Sequence, residues 1–513
     1  MAGRIGVAAP SKHPGRLEYA LLLGIIALAV ALRFWRLGDW GFDSDEIFML
    51  RDSIDIRPRN PRPLLYLLNH YLISPFRPLD EFGLRILPAL FGVLGIPVFY
   101  FVARRLVGSR AALFGAFLLA ASGLHVYYSQ FARYWTLVFL FSAIYPYALY
   151  LGLTQRNRRA LILGIVTAVL AVLAHPASVL LLGGLGVWVV ATYVKREQMA
   201  SLWSRKSLYW IAGLAVVLSV AVALWFIPLL QGWFSEHDTP GNTEFLLSIP
   251  GRPGIKQAAY LLGFVESLTL PLVLSGALGI YLLWQRDRLL ALLFTCVFVA
   301  PVTFLVLLSL VAPVSTFYLL PTVPIVFIGA GVFLDRLAGL DWELRPRWLL
   351  PAAVVITIVA AGAPTLISQY RDGRRYDFRG AARWLNERLA TGDVVFSDQF
   401  KVMAHYLPGA QVHALRGDPA PLMHAASTLD QSGDAAAALW IVTPAASHAF
   451  RTNPKLGSLN GWIYGNCQLR NIIGVTRVDF RQNLLQIYRC PPAKEESQAD
   501  SDRLMTRPAA AAD

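Results

Sequence analysis

Charge is scarce in this chain. Asp, Glu, Lys and Arg make up only 15% of its 513 residues, against 56% hydrophobic residues, and the mean hydropathy is +0.50. That balance excludes an ordinary soluble domain, because the apolar residues come in long unbroken runs that suit a bilayer. Acids are scarcer than bases, 32 against 46, leaving a formal net charge of +14. No stretch interleaves basic residues with aromatics as nucleic-acid surfaces do, so the basic surplus is assigned to cytoplasmic loops and nucleic acid is excluded as a partner. No Cys/His spacing matches a zinc site. Cysteine occurs only three times. Cys296 lies inside an apolar run as packing. Cys467 and Cys490 flank a strand-rich stretch near the C-terminus, in a compartment where disulfides persist. A Cys467–Cys490 bridge is therefore expected, with two reduced buried thiols as the alternative.

What the chain does have is helix-length apolar segments. Runs long enough to span a bilayer fall near residues 18–37, 83–103, 111–128, 134–153, 160–175, 177–194, 208–229, 259–284, 289–311, 316–334 and 348–367, about eleven in all. A shorter run at 64–76 follows a Pro-rich stretch and reads as an interfacial or re-entrant helix. Basic residues precede the first run (Arg4, Lys12, Arg16). They then fill alternate loops: Arg104/Arg105/Arg110, Arg156/Arg158/Arg159, Lys195/Arg196/Arg205/Lys206, Arg286/Arg288 and Arg336/Arg345/Arg347. The positive-inside rule places these in the cytoplasm and sends the first loop and the C-terminal segment outside. The first run is too long for a signal peptide and lacks a small-residue cleavage site, so it is read as a retained anchor.

Composition changes near residue 371. A helical pattern through Phe378–Leu385 leads into β-like runs at Val394–Ser397, Leu439–Thr443, Gln468–Ile473, Val475–Phe480 and Leu484–Arg489. The fold class expected is an all-α polytopic membrane protein with a small C-terminal extracytoplasmic α/β domain. The boundaries are a cytoplasmic tail (1–17), a multi-span domain (18–370) with an outer loop at 38–63, the α/β domain (371–493) and a disordered Ala- and Asp-rich tail (494–513).

Against the shortage of acids, the first outer loop concentrates them: Trp40-Gly41-Phe42-Asp43-Ser44-Asp45-Glu46. Three carboxylates beside hydrocarbon do nothing for insertion or packing, which points to chemistry. The alternative is a merely solvated acidic loop. This loop resembles the W-x-x-D-E loop of the polyprenyl- or dolichyl-phosphate-sugar-dependent glycosyltransferases, the protein mannosyltransferases and aminoarabinose transferases of the GT-C architecture. Pro63-Leu64-Leu65-Tyr66-Leu67-Leu68 resembles their PPLYYLL segment. Phe82 through Gly92 resembles the stretch that follows, and Tyr128-Ser129-Gln130-Phe131-Ala132-Arg133-Tyr134 resembles their second outer loop, YSQEARMY. The likeness covers residues 20–150. Phe131 stands where the family carries an acid, so a metal site or acceptor contact that depends on that acid is not carried over.

The resemblance implies sugar transfer from a polyprenyl-phosphate donor to a lipid, protein or polysaccharide acceptor on the outer face of a bacterial inner membrane. No Walker or Gly-x-Gly-x-x-Gly phosphate loop occurs, which argues against a nucleotide-sugar donor. Such a transfer needs a base, a cation for the departing phosphate and an apolar seat for the prenyl tail. Asp45, aligned with the first acid of the family's pair, is the expected base, with Glu46 orienting a sugar hydroxyl or a cation. Arg133 and Arg85 are the candidates for the phosphate, with Arg51 behind them; anchoring to headgroups is the competing role. Asp43, Gln130, Tyr134 and His175 are candidates for substrate contact, and a lone His175 or His125 at an outer turn also serves structure. Glu236, His237 and Asp238 sit in the long outer loop 230–258, read as a candidate lid with a mobile polar connection as the alternative. No cofactor is assigned, and a divalent cation on Asp45 or Glu46 is left open. Two other readings stay alongside: a lipid flippase or transporter, which needs mid-span acids and internal repeats that are not evident here, and a non-catalytic member of the same fold.

Overall fold

A computed structural model of the protein describes residues 15–56, 62–194, 263–308, 316–340, 348–416, 418–432, 437–444, 454–474 and 483–490. The expected span 208–229, the basic run Lys195–Lys206, the outer loop with Glu236, His237 and Asp238, the β-like run 475–480 and the tail from Lys494 lie outside the described residues. By their contacts the described residues form two units. One holds the apolar helices up to Arg374, and the other holds the residues from Arg375 onward together with Gly41–Ser44.

The first unit is helical. It runs through α1 (Arg16–Phe34), α2 (Ser44–Ile54), α3 (Pro63–Leu68), α4 (Glu81–Val107), α5 (Ser109–Ala121), α6 (Gly123–Ser129), α7 (Trp135–Ser142), α8 (Tyr145–Thr154), α9 (Arg158–Ala174) and α10 (Val179–Val194). It continues with α11 (Leu270–Arg286), α12 (Arg288–Leu308), α13 (Val323–Ala338) and α14 (Leu349–Asp372). Six described segments are long and apolar enough to cross a membrane: α1, α4, α7 with α8, α12, Phe317–Ala338 and α14. Three further apolar helices, α9, α10 and α11, have 17, 16 and 17 residues. Small residues let helices approach closely where no hydrophobic effect drives them together. At the α11–α13 crossing an added Cβ on Gly279 would collide with the Gly329 backbone, and one on Gly329 with that of Gly276.

The run expected as one span at 111–128 is instead a bent pair. Helices α5 and α6 meet at a 60° angle at Ser122. The physical reason lies on α1. Arg33 is fully buried and its guanidinium donates to the carbonyls of Leu119 (3.3 Å) and Ala120 (3.1 Å) and to Ala29 (3.2 Å). Two of these carbonyls close α5, where Leu119 O also accepts the Ser122 N–H at 3.3 Å, so the arginine adds donors to the helix end at the break. Its Nη2 also meets His125 Nδ1 at 2.9 Å, which gives His125 a structural partner.

The second unit is a mixed sheet with helices. Its strands are β1 (Val394–Ser397), β2 (Gln411–Ala414), β3 (Leu439–Pro444), β4 (Gln468–Ile473) and β5 (Leu485–Cys490), in the order β2-β1-β3-β5-β4. β1 pairs in parallel with β2 and β3, and β5 pairs antiparallel with β3 and β4. Phe396, Leu439, Ile441 and Tyr488 share a core with Leu422, Leu459 and Ile463 from the helices Ala420–Ser432 and Pro454–Asn466. Buried Asp393 ties β1 to β3, accepting from the Ala438 N–H (2.6 Å) and Trp440 Nε1 (2.9 Å). Cys467 and Cys490 form a disulfide, and Cys296 is a buried free thiol in α12. Strand β2 is absent from the sequence expectation; its burial alternates between exposed and half-buried along a short polar stretch, so no apolar run marks it.

Candidate active site

The acidic cluster of the first loop does not act as one group. Asp43 accepts from Ser44 Oγ at 3.3 Å, and both residues group with the second unit. Asp45 and Glu46 open helix α2, where carboxylates complement the positive end of the helix dipole.

Glu46 turns inward. Arg85 of α4 grips it with two parallel bonds, Nε to Oε1 and Nη2 to Oε2, each 2.8 Å, and neither side chain has any exposure. Glu46 Oε1 also accepts the Ala132 N–H at 2.8 Å, and Arg85 Nη1 donates to the carbonyls of Leu37 (3.2 Å) and Trp40 (2.8 Å). The pair thus binds the start of α2, the first loop, α4 and the second loop to one another. Burial directs both charges toward each other, which sets them apart from the phosphate and sugar contacts expected of Arg85 and Glu46.

Asp45 turns outward. Its side chain is 48% exposed, and Oδ1 lies 3.2 Å from Arg133 Nη2, whose side chain is 11% exposed. Arg133 sits 5.0 Å above the Tyr134 ring. Arg62, just ahead of α3, donates to Tyr134 Oη at 2.9 Å and lies 5.3 Å over the same ring. Two guanidinium groups therefore converge on one tyrosine beside a reachable carboxylate.

His175 completes the cluster. Helix α9 ends at Ala174 because His175 precedes Pro176 and takes an extended conformation. Its ring stacks on Tyr134 (4.6 Å, 24°) and on Tyr318 (5.9 Å, 24°), with Trp135 at 4.9 Å. Burial first, then the positive charges of Arg62 and Arg133, hold its pKa well below the usual histidine value.

Other expected contacts point elsewhere. Gln130 is buried; its Nε2 donates to the carbonyls of Leu32 (3.3 Å), Arg33 (3.2 Å) and Trp35 (2.8 Å) at the end of α1, and its Oε1 accepts from Gln369 at 2.8 Å. It caps a helix terminus. Phe131, in the place of the family acid, stacks on Tyr127 (5.5 Å, 19°). Arg51 pairs with Asp52 at 3.4 Å. Among the described residues no group of three or more His, Cys, Asp or Glu is placed to hold a metal ion. Two members of the cluster, Arg62 and Tyr318, are not in the sequence expectation. Their signal is modest: a cation immediately before the PLLYLL segment, and a polar aromatic opening an apolar run.

The described residues form a mostly helical polytopic chain, with six segments apolar and long enough to cross a membrane and a small mixed sheet. Residues 63–226 match the family described as dolichyl-phosphate-mannose-protein mannosyltransferase. No curated protein sequence matches the chain. Among solved structures the chain is similar to ArnT from Cupriavidus metallidurans in the apo state, at 17% identity and a TM-score of 0.53, covering 92% of this chain and 98% of that one. The same protein bound to undecaprenyl phosphate gives 17%, 0.53, 94% and 99%. The oligosaccharyltransferase of Archaeoglobus fulgidus in the apo form is similar at 12% identity and a TM-score of 0.52, covering 83% of this chain and 69% of that one. The chain thus resembles the GT-C glycosyltransferases that use polyprenyl phosphate, in sequence over residues 63–226 and in fold over nearly its whole length.

Proposed function

We propose that the protein is a membrane glycosyltransferase that moves a sugar from a polyprenyl-phosphate donor to an acceptor hydroxyl on the outer face of the inner membrane. The observation that carries this reading is the contact between the half-exposed Asp45 and Arg133, 3.2 Å apart, with Arg62 bonded to the adjoining Tyr134. Base and cations stand together, as a single displacement requires. The acceptor oxygen attacks the anomeric carbon, the bond from that carbon to the phosphate oxygen breaks, and the acceptor proton passes to the Asp45 carboxylate. One displacement inverts the anomeric centre.

Asp45 and Arg133 answer each other's charge, and a phosphate that competes for Arg133 releases the carboxylate to act as base. Arg62 adds a second planar fork for the charge that develops on the leaving phosphate. The donor class is supported by the similar ArnT structure bound to undecaprenyl phosphate. An archaeal AglB complex containing dolichol-phosphate and an inhibitory peptide is a further similar structure, at 14% identity and a TM-score of 0.50, covering 84% of this chain and 69% of that one. An active site outside the cytoplasm has no nucleotide-sugar supply, whereas a lipid-linked sugar can be flipped there. A buried prenyl tail contributes about 0.8 kcal/mol per methylene, which accounts for a large lipid-facing scaffold. The distribution of Lys and Arg supports a cytoplasmic N-terminus and an external C-terminal unit.

Incubating the purified protein with radiolabelled polyprenyl-phosphate sugars and a crude envelope lipid extract tests the proposal. Labelled, inverted product is expected. Movement of the lipid between leaflets without transfer supports a flippase instead, and the absence of both transfer and movement supports a non-catalytic member of the fold.

A further inference from the structure

The cluster around Tyr134 contains a buried imidazole, His175, that the displacement above does not use. His175 Nδ1 accepts the Ala177 N–H at 3.1 Å. A nitrogen that accepts has no proton, so the neutral ring carries its hydrogen on Nε2, the edge away from the backbone. The orientation is fixed from several sides. Ser178 N donates to the His175 carbonyl at 3.0 Å, Ser178 Oγ donates to Ala171 O at 2.9 Å, and Tyr145 Oη holds Ser178 O at 2.5 Å. The planar stacks on Tyr134 and Tyr318 leave the ring little rotation.

Its surroundings are cationic. Arg62 and Arg133 both act on the ring electrostatically, and both lie over Tyr134, on which the imidazole stacks. A third full positive charge there would be repelled, whereas a neutral N–H donor is tolerated beside the two arginines. Stacking alone asks only for a flat ring, whereas the backbone lock on Nδ1 selects a particular donor edge.

We propose that His175 Nε2–H is a hydrogen-bond donor to the phosphate of the prenyl-phosphate substrate, acting beside Arg62 and Arg133. The proposal rests on the transferase reading of the site and assigns His175 a binding role within it.

The test measures binding, not turnover. Full-length protein in nanodiscs is titrated with fluorescent undecaprenyl phosphate, and with undecaprenol as a phosphate-free control. His175→Phe keeps a flat ring and removes the donor; His175→Gln places an amide N–H near the same point. The phenylalanine variant is expected to lose roughly tenfold in affinity for undecaprenyl phosphate and nothing for undecaprenol, with the glutamine variant within about threefold of the parent. Equal affinity of the parent and His175→Phe overturns the proposal while leaving the donor assignment intact, as does an equal loss for both lipids. A parent protein that does not prefer the phosphate overturns both. Because the phenylalanine variant can fail to fold, the unaltered protein supplies a second readout. The ¹⁵N resonance of the His175 Nε2 is expected to shift on adding undecaprenyl phosphate but not undecaprenol, and an unmoved signal refutes the contact.

Discussion

Glu46 and Arg85 face each other as a closed fork, with two 2.8 Å bonds and no exposure on either side chain. Because Glu46 also accepts the Ala132 N–H, this pair fixes the start of α2 against the second loop, and with it the distance between neighbouring Asp45 and Arg133. Removing one partner leaves a buried charge uncompensated, which costs about 3–5 kcal/mol. Glu46→Gln and Arg85→Met are each expected to lower the thermal unfolding midpoint in detergent sharply, whereas the double replacement loses less than the sum of the two. Additive losses would show that the two charges do not compensate each other.

Asp45 makes the opposite case. Its side chain is 48% exposed, so replacing it leaves packing almost untouched and should change stability by no more than about 0.5 kcal/mol. Asp45→Asn keeps the shape and removes the base, and transfer is expected to fall roughly 10²–10⁴-fold with binding of the donor lipid retained. Turnover is read with labelled polyprenyl-phosphate sugar and folding by the unfolding midpoint. Near-normal turnover by this variant would falsify the assignment of Asp45 as base.

In the C-terminal unit Asp398 follows directly on β1. Burial pushes its carboxyl up from 3.8 to about 7, against the opposing hydrogen bonds of Gln399 N and Ser397 Oγ. Between those values the folded chain holds a proton that the unfolded chain has released, so stability falls as pH rises through this window. The contribution is fully present below 3.8 and lost above about 7, with a slope of at most about 1.4 kcal/mol per pH unit. Unfolding midpoints of the full chain, followed from about pH 4 to about pH 8, should show a fall that Asp398→Asn flattens. An unchanged profile in the variant would mean that the carboxyl is solvated.

Periodicity and hydropathy made the helices legible, because a bilayer-spanning helix must be continuously apolar. The break at Ser122 was not legible, since the donor that stabilises it, Arg33, lies 87 residues from Ala120. The acidic loop announced itself by its position, and Arg133 by its place in the second loop. The division of labour between the acids did not. Asp45 and Glu46 are neighbours in sequence, and only a partner 39 residues away decides that Glu46 is buried while Asp45 is reachable. Gln130 matched a motif, yet its amide nitrogen bonds to the end of α1, 95 to 98 residues distant, and its oxygen to Gln369, 239 residues away. Sequence spacing reports which residues share a loop, whereas burial assigns their roles.

Arg62 shows the same limit from the other side, because nothing in the run Arg57-Pro58-Arg59-Asn60-Pro61-Arg62-Pro63 distinguishes it from its neighbouring arginines. Its Nη1 donates to Tyr134 Oη at 2.9 Å and its charge acts on His175, so it lies in the cluster with Arg133. If both arginines take the donor phosphate, Arg62→Met removes a charge-assisted contact of about 1.5–3 kcal/mol and raises the KM for the donor roughly 10- to 100-fold. Tyr134→Phe deletes only the acceptor that steadies Arg62 and keeps the aromatic face beneath both guanidinium groups, so a smaller rise is expected. The ordering of the two variants is the discriminating measurement. A larger effect from Tyr134→Phe would make the tyrosine hydroxyl, and not the Arg62 charge, the group that meets the substrate.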